Sequence, residues 1–231
     1  MSCVAIITAR GGSKRIPRKN IKDFCGKPII AYSIEAALKS GIFDEVMVST
    51  DDKEIADFAI SCGAKVPFMR SAKNSDDHSS TAEVLLEVLA DYKKKKQEFE
   101  WMCCIYPTAP FVTSKKLCNA YKNITTESAE ALISVVKFSY PPQRCFVLEK
   151  NKIAYKWPEN ALKRSQDLEP FYHDAGQFYF AKVDAFTREK TLVLHNTLSF
   201  VLDEMEVQDI DNQEDWKIAE IKYKFMQSKS L

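Results

Sequence analysis

Short apolar runs of strand type alternate with helix-type stretches along most of this 231-residue chain, and no other feature narrows the fold as much. Residues 4–7, 45–50, 66–69, 101–106 and 131–136 read as strands: apolar, short, and closed by polar or turn-forming residues. Between them apolar side chains recur at helical spacing. Ile30, Ile34, Ala37 and Leu38 lead to Gly41; Ile55, Phe58 and Ala59 lead to Cys62 and Gly63; Val84, Leu85, Val88, Leu89 and Tyr92 lead to the lysine run 93–96. A fourth helix follows Ser114 through Leu117, Cys118, Tyr121 and Ile124. Pro28 suits the first helical turn, Asp51 or Asp52 caps the second helix, and Ser80-Thr81-Ala82-Glu83 is a capping box for the third. Strand and helix units at this spacing predict a mostly parallel sheet covered on both faces, an α/β fold of three layers.

The rhythm breaks at residues 139–170. Pro141-Pro142 precedes two alternating runs, 145–148 and 153–157, joined around Lys150-Asn151, which predicts a β-hairpin excursion. Its Tyr, Phe and Trp content suits an association surface. Sheet structure resumes at 176–183 and 198–202, and residues 206–211 lead into a last helix capped by Asn212 or Asp215. No linker divides the chain, so residues 1–231 are expected to form one domain with 139–170 as an inserted lobe.

Charge is nearly balanced, 33 basic against 32 acidic residues, which excludes the field expected of a protein steered to nucleic acid or an anionic membrane. No apolar run reaches the ~18 residues of a membrane span, and the first residues lack the pattern of a signal peptide. A cytoplasmic location is the expectation. Seven cysteines without CxxC spacing read as reduced thiols, and His78, His173 and His195 are too scattered for a metal cluster.

Against this neutral background the loop after the first strand stands out. Ala9-Arg10-Gly11-Gly12-Ser13-Lys14-Arg15-Ile16-Pro17-Arg18-Lys19-Asn20 places two adjacent glycines among five cations. Glycines let backbone N–H groups approach a polyanion and tolerate the positive φ angles of a cradle. The loop is built to hold phosphate, with a solvated basic loop as the alternative. A P-loop is excluded, because Gly26-Lys27 is followed by Pro28 where Ser or Thr is required, and the Rossmann glycine triplet is absent.

In open α/β sheets ligands bind beyond the carboxyl ends of the strands. The residues there are polar: Arg70 and the stretch Asn74 to Thr81, which includes Asp76-Asp77 and Ser79-Ser80-Thr81; then Pro107-Thr108; then His173-Asp174. Ser79 to Thr81 is also a plain helix N-terminus, a role compatible with offering N–H groups and hydroxyls to a ligand. Asp209 and Asp211 lie two apart, so on an extended strand end both carboxylates point one way, with Cα atoms roughly 6.5–7 Å apart, and Ile210 points into the core. Such a pair supplies hard oxygen ligands for Mg²⁺ beside a triphosphate, although acidic pairs also occur in ordinary surface loops.

Residues 9–21 together with Phe24-Cys25-Gly26-Lys27-Pro28-Ile29-Ile30 closely resemble the signature of the acylneuraminate cytidylyltransferases, which make CMP-activated nonulosonic acids. The resemblance covers nearly the whole chain. It implies a Rossmann-like nucleotidyltransferase fold in which Ala9, Arg10, Gly11, Gly12, Ser13, Lys14, Lys19 and Asn20 hold the CTP phosphates and sugar. Arg70, Ser79, Ser80 and Thr81 would read ribose and base, with Pro107 and Thr108 alongside. Asp209 and Asp211 match the paired metal-binding aspartates, with Mg²⁺ as cofactor; Arg10, Lys19 and Asp211 would be catalytic. The acceptor, a nine-carbon 2-keto sugar acid, would meet Tyr106, Arg164, Gln166, His173, Asp174 and Gln177. Tyr106 stands where the family has Gln, and Ala109 where it has Ser. Tyr106-Pro107-Thr108-Ala109-Pro110 and His173-Asp174-Ala175-Gly176-Gln177 look most like the pseudaminic acid branch, with the N-acetylneuraminate and legionaminate branches as alternatives. The lobe would cross onto a second subunit, giving a homodimer. Two other classes compete: a related sugar-nucleotide pyrophosphorylase, and a nucleotide-binding regulator without catalysis.

Overall fold

Strand β1 (Cys3–Thr8) lies inside the sheet, one strand in from its edge, with both faces buried: Cys3, Ala5 and Ile7 enter one apolar cluster, Val4 and Ile6 the other. The computed structural model describes residues 1–76 and 78–229. A hairpin of β2 (Asp23–Phe24) and β3 (Lys27–Pro28) leads into α1 (Ile29–Ser40), which ends at Gly41 with φ 65°. Then come β4 (Glu45–Ser49), α2 (Lys53–Ser61), α3 (Thr81–Lys94), β5 (Trp101–Ile105), α4 (Ser114–Thr126) and β6 (Ala131–Lys137). The lobe carries β7 (Phe146–Glu149) and β8 (Lys152–Tyr155); the chain returns through β9 (Tyr172–Lys182), α5 (Val183–Glu189), β10 (Thr197–Leu202) and α6 (Gln213–Lys229).

The main sheet has the order β10-β6-β9-β5-β1-β4. Neighbours pair in parallel except around β9, which is antiparallel to both β5 and β6. Apolar residues of α1, α2 and α4 cover one face, those of α3 and α5 the other. This is the expected three-layer α/β/α architecture. Its helix ends follow local chemistry: Asp52 caps α2 by accepting from Ile55 N, and Ser80 and Glu83 complete the capping box of α3. Asn212 and Asp215 share the start of α6, Asn212 Oδ1 accepting from the amides of Glu214 and Asp215 while Asp215 Oδ2 accepts from those of Asp211 and Asn212.

Four details depart from expectation. Residues 66–69 form no strand; Lys65 makes a single bridge to Met47, and Pro67, lacking an N–H, ends the pairing. β9 starts at Tyr172 rather than 176 and runs backwards, because the lobe leaves and re-enters the sheet at the same edge with no crossover helix between. Thr113, not Ser114, caps α4. Residues 207–211 are not a strand end but irregular chain after a short 3-10 turn (Glu204–Glu206).

The lobe is a two-stranded hairpin whose turn residues Lys150 and Asn151 both have left-handed backbone, φ 46° and 63°, the geometry that matches strand twist. Its apolar side chains are outward: Leu148 is 77% and Leu162 99% exposed, with Tyr140, Phe146 and Ile153 beside them. Among the described residues no helix is long and apolar enough to cross a membrane.

Candidate active site

An open cleft of about 600 Å³ lies beyond the carboxyl ends of β1 and β5, lined in part by Arg10, Lys14, Lys19, Arg70, Tyr106 and Asp211. The rest of its wall includes Ser13, Arg15, Asn20, Asn74, Asp76, Ser79, Thr81, Pro107 and Thr108. The loop after β1 forms one side. It is fixed by ties to the start of α2: Gly11 N donates to Asp51 Oδ1 at 2.9 Å, and Arg18 grips Asp52 at 2.5 and 3.1 Å and also pairs with Glu54. Arg18 has left-handed backbone, φ 54°, a conformation that costs a bulky residue about 1 kcal/mol or more and that these carboxylates hold in place. Asn20, buried, donates to the Arg10 carbonyl at 2.9 Å.

The two glycines differ from expectation. Neither takes a positive φ. Gly11 is required because a Cβ there would meet Asp52 at 2.8–2.9 Å, and its N–H is committed to Asp51. Gly12 faces open space. Ala9 is buried, its N–H bonded to Ser49 O at 2.9 Å, so it supports the loop from below. Of the five cations, Arg10, Lys14, Arg15 and Lys19 line the cleft and Arg18 serves as an anchor.

Across the cleft stands the acidic stretch. Asp211 meets Arg15 at 2.9 Å, and Lys19 Nζ donates to the Ile210 carbonyl at 2.5 Å. Partial burial together with the negative charge of Asp211 pushes the Asp209 carboxyl above the usual carboxylate range, and burial pulls the Lys19 ammonium below the usual lysine range against the pull of both aspartates. The two sides are pinned to one another: Ile16 from the cationic loop and Ile210 from between the aspartates are both fully buried in a single cluster with Phe24, Tyr32, Phe111 and Trp216. Asp209 and Asp211 are the residues that could hold a hard cation, with remaining ligands from phosphate and water, since the described residues contain no group of three His, Cys, Asp or Glu suited to a metal.

On the floor, Arg70 is buried and donates Nη2 to Ser49 O at 2.5 Å; burial pulls its guanidinium below the usual value. Arg10 Nη1 donates to the Asp76 carbonyl at 2.9 Å, tying the cationic loop to the turn that ends in Ser79. Ser80 is engaged in its capping box, so Ser79 and Thr81, on either side, are the ones presented to the cleft. Asp77 lies outside the described residues. Thr81 Oγ1 and Tyr106 OH are 3.1 Å apart, and Tyr106 packs against Tyr179, whose hydroxyl donates to Asp174 at 2.8 and 2.9 Å. Asp174 and His173 sit exposed where β9 begins, at the same edge of the sheet. Gln177 is buried at 2% exposure, donates Nε2 to the Glu206 carbonyl and does not line the cleft. Arg164 and Gln166 are exposed on the lobe, away from this wall, and Arg164 forks onto Asp167 at 2.8 and 3.1 Å.

The profile of the cytidylyltransferase family matches residues 4–222. The chain belongs to that family. Among cytidylyltransferases, the pseudaminic acid cytidylyltransferase of Campylobacter jejuni is 44% identical over 225 residues, covering 97% of each chain. The CMP-N,N'-diacetyllegionaminic acid synthase of Legionella pneumophila is 33% identical over 227 residues, covering 95% of each. The solved CMP:2-keto-3-deoxy-manno-octonic acid synthetase, complexed with CTP, superposes with a TM-score of 0.70 at 19% identity, covering 99% of this chain and 100% of that one, a likeness of fold.

Several residues of this cytidylyltransferase cleft escape sequence reasoning. Asp51 reads as one of two candidate caps, and only the structure shows it holding Gly11. Arg15 reads as one cation among five, yet it alone of them reaches Asp211 in an ion pair among the described contacts. The signal for Ile16 was available: an apolar residue inside a run of cations must be buried for a reason.

Proposed function

We propose that this cytidylyltransferase joins CTP to a nonulosonic acid, pseudaminic acid by preference, forming the CMP-sugar and pyrophosphate. The observation that carries this is the single cleft in which Arg10, Lys14 and Lys19 face Asp211. The anomeric hydroxyl of the sugar acid attacks the α-phosphorus of CTP in line; the bond from that phosphorus to the bridging oxygen breaks, and pyrophosphate departs. Arg10, Lys14 and Lys19 neutralise the triphosphate and the charge that develops on the leaving group. Arg70, Ser79 and Thr81 orient the nucleoside, and Asp211 assists in taking up the proton of the attacking hydroxyl.

The donor set fits Mg²⁺. Burial first and the neighbouring charge of Asp211 second raise the Asp209 carboxyl above the usual range, and two such close carboxylates are a natural hard-cation pair. Asp209 and Asp211 would hold the ion, which supplies charge neutralisation at the phosphates. Arg15 keeps Asp211 compensated and is placed to turn toward the triphosphate.

Tyr106, with its hydroxyl against Thr81 and its ring against Tyr179, shapes the acceptor side together with Asp174 and His173. Two copies pair through the outward apolar face of the lobe, residues 139–170, and bring Arg164 and Gln166 to the acceptor of the neighbouring copy. A fork-shaped guanidinium suits a carboxylate. Seven unbridged cysteines, three of them buried, suit a cytoplasmic enzyme.

Pyrophosphate release tests this, crossing CTP, UTP, ATP and GTP with pseudaminic, legionaminic and N-acetylneuraminic acids and Kdo. CTP with pseudaminic acid is expected to turn over fastest. Turnover only with another acid would reject the acceptor, and stoichiometric CTP binding without release on any acid would reject catalysis.

A further inference from the structure

Five acids, Asp203, Glu204, Glu206, Asp209 and Asp211, crowd the ten residues between β10 and α6, and apart from one 3-10 turn this stretch has no regular structure to hold it. Three buried or half-buried donors from different elements converge on that turn. Gln177, at the point where β9 bulges against β6, donates Nε2 to the Glu206 carbonyl at 2.5 Å. Lys116 of α4, with only 14% of its side chain exposed, pairs with the Glu206 carboxylate at 3.1 Å and donates to the Phe111 carbonyl at 2.9 Å. Lys222 of α6 donates to the carbonyls of Glu204 at 3.1 Å and Val207 at 2.7 Å. None of the three lines the cleft.

Placing ammonium groups out of water is costly unless their hydrogen bonds are well made. A turn whose work is only to reverse the chain has no need of two lysines and a buried amide. Here the next residues along are Asp209 and Asp211, which carry like charge and whose backbone is otherwise held, among the described contacts, by Gln208 at the Asp209 carbonyl, by Lys19 at Ile210 and by the cap of α6. We infer that Lys116, Gln177 and Lys222 form a clamp on residues 204–207 that sets where Asp209 and Asp211 stand, and so sets the affinity of that pair for a divalent cation. The inference rests on the reading above that this pair holds the cation of a CTP complex. The three are positioning residues, acting through the turn without touching substrate, as outer partners of metal ligands do.

The test is Mn²⁺ binding followed by electron paramagnetic resonance with CTP present and no acceptor sugar, so that no turnover intrudes. Lys116→Met and Lys222→Met are compared with Lys65→Met, which breaks an ion pair with Glu45 at 2.9 Å remote from the turn. Lys222 sits on a helix surface, so its variant keeps the test available should Lys116→Met fold poorly. The clamp predicts Mn²⁺ affinity about 10-fold weaker in both clamp variants, wild-type affinity in Lys65→Met whatever its melting temperature, and recovery in Lys222→Arg, which keeps a donor. Clamp variants that melt lower yet bind Mn²⁺ like wild type would overturn it. Absence of any CTP-dependent Mn²⁺ site in the wild type would instead overturn the metal reading, and the clamp with it.

Discussion

The two sides of the cleft are built by opposite means. The cationic loop is held by carboxylates borrowed from α2, with Asp51 on Gly11 and Asp52 with Glu54 on Arg18; the acidic stretch is held by lysines borrowed from α4, α6 and the loop itself. Each side concentrates one sign of charge and would repel itself, and each is steadied by the other sign supplied from the fold behind it. Three contacts are shared: Arg15 pairs with Asp211, Lys19 donates to the Ile210 carbonyl, and Ile16 and Ile210 enter the same aromatic cluster, where Phe24 lies edge-on to both Tyr32 and Trp216. The lesson is that opposite charge steadies each side, while apolar burial, together with the Arg15 and Lys19 contacts, joins the two.

If that division is right, the largest effect comes from the acidic side itself. Asp211→Ala is expected to lower kcat roughly 1000-fold with the fold intact; turnover within a few-fold of wild type at saturating Mg²⁺ would remove Asp211 from the chemistry. Next comes the shared anchor. Ile210→Ala empties a fully buried position and should cost about 3 kcal/mol in urea unfolding, with weaker CTP binding as the two sides lose register. A cost below about 1 kcal/mol would mean that the cluster does not bind them together.

The cationic side is sharpened by a pair of glycines. Gly11→Ala drives a Cβ into Asp52, which cannot retreat because Arg18 and Ile55 N hold it, so about 2 kcal/mol should be lost. Gly12→Ala meets nothing within 4 Å and should stay within about 0.5 kcal/mol of wild type. Equal costs would show that the loop is not shaped by its tie to α2. The smallest effect concerns Asp209. Its carboxyl titrates higher in the folded protein than in the unfolded chain, so ionising it opposes folding, and the loss grows as pH rises from the ordinary carboxylate range through the raised value. Ligand-free Asp209→Asn should therefore melt slightly above wild type at neutral pH and match it at low pH, where Asp209 is protonated in both states. A lower melting temperature at neutral pH would contradict the sign.

Much of the sheet was legible because each element announces itself locally: the apolar run of β1, the Gly41 stop of α1, the Ser80–Glu83 box of α3. The position of the cleft followed from strand direction alone. What stayed hidden depends on residues distant in sequence. The reversal of β9 is set by where the lobe re-enters the sheet, and its apolar pattern reads the same in either direction. Gln177 looks polar and available beside His173 and Asp174, but the bulge turns it inward to Glu206, 29 residues away. The requirement for Gly11 comes from Asp52, a side chain that presents itself in sequence only as a helix cap.

The central claim is that both sides grip one metal triphosphate. Anomalous diffraction from a crystal holding Mn²⁺ and CTP tests it most directly. A single peak at the carboxylates of Asp209 and Asp211, in contact with a triphosphate that lies along Arg10, Lys14 and Lys19, is the predicted result. A peak elsewhere, or a triphosphate that reaches one side of the cleft and not the other, would contradict it.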